Sequence, residues 1–370
     1  MLAALVVFGL RLATPAVAHG NGIGDLYAAA EGAVLELHAA SGKVVGAVDM
    51  SPDPSSIAFS NDGRSLYVAT GAREVARIDI QTIQVQEVLA MPTEITAIAV
   101  PRGTTAVAAG PGGRELLLAD LESRAVHRTS PLPGAADLLA ADRREFRALA
   151  ARSGSTWLAV VEAATAAVSI LDVQARVVGL AVDRAGGAGF VVTEAPDQLL
   201  RIRLDHPAVL WTVGLPSAPT AVTSTAFGPV VAGASESWTT DGLAARAWSS
   251  EGAPSGVVAA SDDGDFVYLG QPSGVLAIGR GGRIDRVIGL GSRGGAHGLA
   301  AFPARASLAT TGASTSPPAS VAMPVTSTLP EQSRALADRS GLFLVAAAVF
   351  LVLLAAGLVV VHRLPPRVRD

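Results

Sequence analysis

The sequence predicts an all-β chain: a seven-bladed β-propeller closed by its N- and C-terminal strands, followed by a disordered stalk and one transmembrane helix. Three observations lead there: a period of 41 residues, four short strand-like runs in each period, and one unit split between the two ends of the repeat region. The period shows in Ser56-Ile57-Ala58-Phe59, Ala97-Ile98-Ala99-Val100, Leu138-Leu139-Ala140-Ala141 and Gly179-Leu180-Ala181-Val182, whose second residues stand 41 apart. It continues at Ala221, shortens to 37 at Val258 and returns to 41 at Leu299. Periods of about 40–45 residues belong to propeller blades or to stacked helix pairs.

The unit Ile57–Pro92 decides between these. Its first run, Ile57–Ser60, meets Asn61-Asp62-Gly63, a turn in which Gly accepts positive φ. Leu66–Ala69 stops at Gly71. In Val75–Ile80, Val75, Arg77 and Asp79 alternate with Ala76, Ile78 and Ile80, the two-residue period of a strand. Gln84–Val88 alternates likewise before Met91-Pro92. The breakers leave no room for a helix of about 15 residues. The sixth unit repeats the plan, with Ser261-Asp262-Asp263-Gly264 before Phe266-Val267-Tyr268-Leu269.

Four antiparallel strands per unit make one blade. The anchors at 57, 98, 139, 180, 221 and 258 give six. The seventh comes from both ends: Leu26-Tyr27-Ala28, Ala33–Leu37 and Lys43–Val48 supply three strands, and Leu299–Phe302 supplies the innermost. Closing the ring in this way leaves no loose terminal blade.

The lines SNDGRSLYVAT (Ser60–Thr70) and SDDGDFVYLGQ (Ser261–Gln271) resemble the YVTN-type β-propeller repeat. Asn61 and Asp262 replace the proline of that family's S-P-D-G turn, and Ala69-Thr70 and Gly270-Gln271 depart from its T-N. The chain is similar also to the wider group of seven-bladed propellers that includes lactonase-like and quinone-dependent enzymes. The resemblance implies a seven-bladed ring, often on the surface of bacteria or archaea, and no single function.

Both ends read as addresses. Residues 1–18 hold an apolar run, Leu2–Leu10, then Pro15 and Ala16-Val17-Ala18, whose small residues suit signal-peptidase cleavage after Ala18. No Lys or Arg precedes the run, and Arg11 follows it. Leu342–Val361 is an uncharged stretch long enough to cross a bilayer, and Arg363, Arg367 and Arg369 in the tail hold that end inside. The expected organisation is a signal peptide (1–18), a propeller (24–302), a Ser/Thr/Pro/Ala-rich stalk (303–340), a span (342–361) and a cytoplasmic basic tail (362–370). Within the stalk, Leu308-Ala309-Thr310-Thr311-Gly312 looks like the L-A-x-T-G signal of one class of sortases. Leu308, Thr311 and Gly312 would then mark linkage to a cell wall, with plain membrane retention as the alternative.

Composition excludes several chemistries. The chain of 370 residues carries 28 Lys+Arg against 32 Asp+Glu, so no basic excess favours nucleic acid. Cysteine is absent, which removes disulfides, thiolate nucleophiles and thiolate-bound metals. Gly289-Leu290-Gly291-Ser292-Arg293-Gly294 matches G-x-G-x-x-G, yet the next innermost strand follows where a dinucleotide site needs a helix, so it reads as an inter-blade loop. Asp262-Asp263-Gly264-Asp265 occupies the slot of Asn61-Asp62-Gly63 and reads as a turn rather than a calcium loop. No catalytic constellation, metal site or cofactor is expected. Trp157, Trp211, Trp238 and Trp248 are expected in four different blades, packing between them.

A partner is expected on the face formed by the loops between blades and by the turns joining the two middle strands of each blade. Prolines stiffen several of these loops. Asp53, Arg73, Glu94, Arg114, Asp137 and His297 are the candidate binding residues there. The expected function is a single-pass type I, extracytoplasmic binding or scaffold module for a protein or glycan. A lactonase-like or quinone-dependent enzyme and a sortase-linked wall protein stand as alternatives.

Overall fold

The computed structural model describes residues 25–301, apart from 39–40, 130 and 262–263. The signal peptide, stalk, span, tail and Leu308-Thr311-Gly312 lie outside the described residues, as do Phe302 and the Asp262-Asp263 pair.

Seven four-stranded antiparallel sheets form a seven-bladed propeller. We call the strands of each blade a to d, from the channel outward. Blade 1 is Ser56–Phe59, Ser65–Ala69, Glu74–Asp79 and Gln84–Ala90. The a strands of blades 2 to 6 are Ala97–Ala99, Leu138–Ala141, Arg176–Val182, Pro219–Thr225 and Val258–Ala260. Blade 7 takes its a strand, Gly298–Ala301, from the far end of the ring and pairs it with Asp25–Ala30. The register sets Leu26 against Ala301, Tyr27 against Ala300 and Ala28 against Leu299. Every anchor of the 41-residue period lies on an a strand, and neighbouring a strands touch all round the ring.

Packing explains the pattern. The b strands are buried on both faces: all of Ser65–Ala69 is buried, whereas Gln84–Ala90, the d strand of that blade, is largely exposed. Alternate residues of one strand serve opposite neighbours. In blade 7, Leu26, Ala28 and Ala30 pack against blade 6 with Tyr268 and Ile288. Tyr27 and Ala29 pack against blade 1 with Phe59 and Val68, and the Tyr27 and Phe59 rings meet edge to face at 5.3 Å. Seven interfaces hold seven apolar clusters, one between each pair of blades. Each interface needs both partners, so an open ring would leave two such faces in water.

The turns are built as the sequence implies. In blade 1, Asp62 Oδ1 accepts from Ser60 Oγ (2.6 Å) and Arg64 N (3.0 Å), and Gly63 takes φ of 67°. Ser60 Oγ also accepts from Ser65 N (3.0 Å), and Ser261 Oγ does the same for Phe266 N (2.9 Å) in blade 6. One expectation is corrected. Trp238 and Trp248 share blade 5, on Ser237–Thr240 and Ala245–Ser249, because both fall in the one unit between the anchors Ala221 and Val258. Trp238 is 2% exposed and fills the interface between blades 4 and 5.

Removing the closing strand should cost at least about 3 kcal/mol, since it strips cover from the Leu26–Ala30 strand on the channel side. A chain ended after Ala296 should unfold at a clearly lower urea midpoint than one ended after Phe302. Equal midpoints would show that closure does not hold the ring.

Candidate functional site

Main-chain and side-chain hydrogen bonds sort the loops into two faces. On the first, Gly32 N in a b–c turn donates to Asp53 Oδ1 in the loop from blade 7 to blade 1 (3.0 Å). Ser153 N donates to Asp137 Oδ1 in the same way (2.6 Å). Ile95 N bonds Ala72 O (2.9 Å), and His297 N bonds Ala29 O (2.7 Å). Asp53, Arg73, Glu94, Arg114, Asp137 and His297 all lie on this face and all are exposed. They spread across the loops of half the ring. Asp53 and Asp137 each also brace a turn through one carboxylate oxygen. The Gly289–Gly294 motif ends a d strand and runs into the inter-blade loop, as expected.

The opposite face, made of the a–b and c–d turns, carries features that the sequence reading missed. Counting four residues on from each anchor gives Asn61, Arg102, Arg143 and Arg184, equivalent positions in blades 1 to 4. All four reach across to another blade. Asn61 Nδ2 donates to Pro101 O (3.0 Å). Arg102 Nη1 donates to Arg144 O (3.4 Å), and Arg144 Nη1 passes the link on to Ala185 O (3.2 Å). Arg143 Nη2 reaches past blade 2 to Ser60 O (3.1 Å), and Arg184 Nη1 reaches past blade 5 to Ser261 O (3.1 Å). Arg102, Arg144 and Arg184 form no ion pair among the described residues; their partners are carbonyls. The 41-residue period was the signal that could have found Arg102, Arg143 and Arg184, and Arg144 stands one position beyond it.

The carboxylates of this face are occupied with turns. Asp142, 1% exposed, accepts from Arg144 N (2.8 Å), Glu145 N (3.2 Å) and Gly187 N (3.0 Å), tying blade 3 to blade 4. Asp183 Oδ1 accepts from Ala185 N (3.0 Å), and its Oδ2 meets Arg201 Nη2 at 2.7 Å. On Asp62 burial pushes the pKa up, but the Ser60 hydroxyl, the Arg64 N–H and the charges of Arg64 and Arg77 outweigh it, and the group lies below the usual range. Backbone N–H donors at Glu122 and Ser123 hold Asp120 low. His206 N–H does this for Asp205, and Leu243 N–H for Asp241.

Two cavities open here. One, of about 350 Å³, lies at the ends of the a strands, among Arg143, Arg184, Ser224, Ser261 and Ala301. The other, of about 470 Å³, lies between blades 4 and 5. Its blade 4 wall is a row across three strands: Phe190 opposes Arg201, which opposes Trp211. The Arg201 guanidinium stands 5.9 Å from the Phe190 ring centre, and the Phe190 and Trp211 rings are 6.2 Å apart. Blade 5 contributes Phe227 and the Thr240-Asp241 turn. Gly242, at φ of 94°, lets that turn lie against the indole, because a Cβ there would stand 3.3 Å from Trp211 Cε2. Arg184 and Arg144 border both cavities. Among the described residues no group of three His, Asp or Glu is placed to hold a metal ion.

No protein-family model matches the chain, and no curated protein matches it in sequence. Solved structures do match. Kuenenia stuttgartiensis hydrazine synthase aligns at 17% identity and a TM-score of 0.52, covering 64% of this chain and 86% of that one. The dihydro-heme d1 dehydrogenase NirN aligns at 12% and 0.56, covering 73% of this chain and 64% of that one. The Cps50 (Swd1) β-propeller domain of Myceliophteria thermophila aligns at 15% and 0.53, covering 66% and 88%. At such identities the likeness is one of fold, and that fold is shared by proteins named as enzymes and by others that are not.

Two predictions follow from the turns. Asp142→Ala leaves three part-buried N–H groups without their acceptor and should lower stability by about 1–3 kcal/mol, measured by urea unfolding. The depressed aspartates mean that the unfolded chain binds more protons in acid, so the stability they lend is whole above about pH 4 and is lost as pH falls through their folded values. Changing Asp62, Asp120, Asp205 and Asp241 together to Asn should flatten the fall of the urea midpoint below pH 4. An unchanged slope would assign acid sensitivity elsewhere.

Proposed function

We propose that the chain is a membrane-anchored, extracytoplasmic propeller of the YVTN type that binds an anionic protein or glycan through its a–b and c–d face. The observation that carries this reading is the set Arg102, Arg144 and Arg184. Each guanidinium is fixed by a carbonyl of another blade and none is neutralised by a carboxylate among the described residues. A guanidinium has five N–H donors, so one bond to a carbonyl positions it and leaves donors for a ligand. Pre-positioning lowers the entropy lost on binding. Phe146, 41% exposed, and Leu243, 87% exposed, stand on the same face and offer apolar contact beside the charge. The matching Ser60 and Ser261 turns support the repeat type. The anchoring rests on the sequence: a cleavable leader ending at Ala18, the uncharged 342–361 stretch and the three arginines after it.

The topology is tested on intact cells with a tag at the C-terminus. External protease should remove the propeller and spare the tag, and the mature chain should begin at His19. A protected propeller would overturn the outside location, and a tail cut after Thr311 with the propeller bound to the wall would replace membrane retention by wall linkage. Binding is tested with the full-length chain on immobilised polygalacturonate and polyglutamate. Reversing Arg102, Arg144 and Arg184 to Glu should weaken capture at least about tenfold, or about 1.4 kcal/mol, and reversing Arg73 and Arg114 should not. The opposite result would move the partner to the other face; capture on neither polymer would overturn an anionic partner.

A further inference from the structure

We infer that the cavity between blades 4 and 5 is a subsite for one hexuronate residue, a sugar ring bearing a single carboxylate. The inference rests on the reading of this face as an anion-binding surface and names the ligand at one place on it.

Charge sets the first constraint. Arg144, Arg184 and Arg201 line the cavity with Asp183 and Asp241, three positive charges against two negative. Arg201 is paired with Asp183 and Arg246 with Asp241, which leaves an excess of two guanidiniums, those of Arg144 and Arg184, to take a ligand carboxylate. The excess also has a direction. Arg201 is held by Asp183, whereas Arg144 and Arg184 have no carboxylate partner among the described residues, so the ligand's carboxylate belongs at the edge nearest the channel.

Shape and surface set the second. Phe190 is buried beneath the Arg201 guanidinium, so Trp211 and Phe227, both half-buried, are the aromatic rings of the wall that a ligand can touch. Flat C–H faces of a pyranose stack on such rings, and their partially positive hydrogens meet the negative face of the π system. The Trp211 indole N–H donates to no group among the described residues, unlike that of Trp248, which is bonded to Arg280 O at 3.1 Å. A sugar oxygen can take that donor. The volume of about 470 Å³ admits one ring and part of a neighbour.

The two carboxylates separate a sugar from an acidic peptide. Asp183 and Asp241 each accept one main-chain bond and one guanidinium bond, and an ionised carboxylate has lone pairs beyond two. Hexuronate hydroxyls donate to them. A Glu or Asp side chain brings no hydroxyl, and a peptide would reach these carboxylates only through its main-chain N–H, whereas a pyranose carries several hydroxyl donors on one rigid ring. The cavity therefore selects a ligand that is anionic at one end and hydroxylated at the other.

The test is tryptophan fluorescence of the full-length chain titrated with galacturonate and glucuronate, alongside galactose, the methyl ester of galacturonate and a Glu-Phe dipeptide. Either or both hexuronates should change the emission with a Kd of roughly millimolar order, and galactose and the uncharged ester should bind at least about tenfold more weakly. Trp211→Phe should remove the spectral change, and Arg184→Gln should weaken hexuronate binding about tenfold, with urea midpoints confirming that each variant folds. The comparison of acid with ester needs no variant and decides the charge requirement alone. Equal binding of acid, ester and galactose overturns the proposal, as does tighter binding of the dipeptide or an unaltered response in Trp211→Phe. If arginine-dependent capture on polygalacturonate persists while no hexuronate binds, this subsite is wrong and the face assignment stands. If capture also fails, the face assignment fails first.

Discussion

The structure depends on burying both sides of its second strands at once. A segment such as Asp25–Ala30 or Ser65–Ala69 sends successive side chains to opposite neighbours, so no blade has a free apolar face to spare. A linear stack of such blades would end in two exposed clusters like those that hold Tyr27 and Tyr268. A ring has no such ends. Pairing Gly298–Ala301 with Asp25–Ala30 therefore does more than add four residues to a sheet: it commits both termini of the repeat to one blade and makes the other six interfaces mutually dependent.

Closure also fixes what the turns can do. The a strands converge on the channel, so side chains just beyond their ends lie near equivalents in other blades. Aspartates there are consumed by backbone N–H groups, as Asp142 is by three of them. Arginines, with longer stems, reach out of their own turn to carbonyls elsewhere, as Arg143 does to Ser60 O. The division follows from chemistry: a short acceptor suits a local donor, and a long planar donor suits a distant acceptor. Its result is that Arg102, Arg144 and Arg184 keep donors beyond their carbonyl bonds in a chain whose net charge is −4.

Much of the fold was legible because the determinants repeat. Anchors from Ile57 to Leu299 all fall on a strands, and the split seventh blade follows from counting. The site was less legible, for two physical reasons. Stiff prolines drew the reading to the inter-blade loops, where Asp53 and Asp137 in fact accept from neighbouring backbone. The row Phe190, Arg201, Trp211 depends on strand register, and the register shifts between Arg201 and Ile202, where a bulge takes up Leu210. Alternation along the sequence cannot place a bulge, so it cannot say that Trp211 faces the same side as Arg201. The sharing of blade 5 by Trp238 and Trp248 needed no register at all, since both lie between the consecutive anchors Ala221 and Val258.

The cavity between blades 4 and 5 lies where the repeat departs from itself. Arginine holds the equivalent position at Arg102, Arg143 and Arg184, and the fifth unit has Thr225 there. Thr225 Oγ1 turns inward to Gly228 O (2.6 Å) and offers no bridge to a neighbour. Arg184 passes blade 5 and takes Ser261 O in blade 6, as Arg143 passes blade 2 to Ser60 O in blade 1. Trp211 stays half-buried at the opening with the Gly242 turn against it, while Phe190 is buried behind it. Arginine is equally replaced by Asn61 in the first unit and Asp262 in the sixth, so what sets this gap apart is the bulge that brings Trp211 onto the Arg201 row beside Thr225.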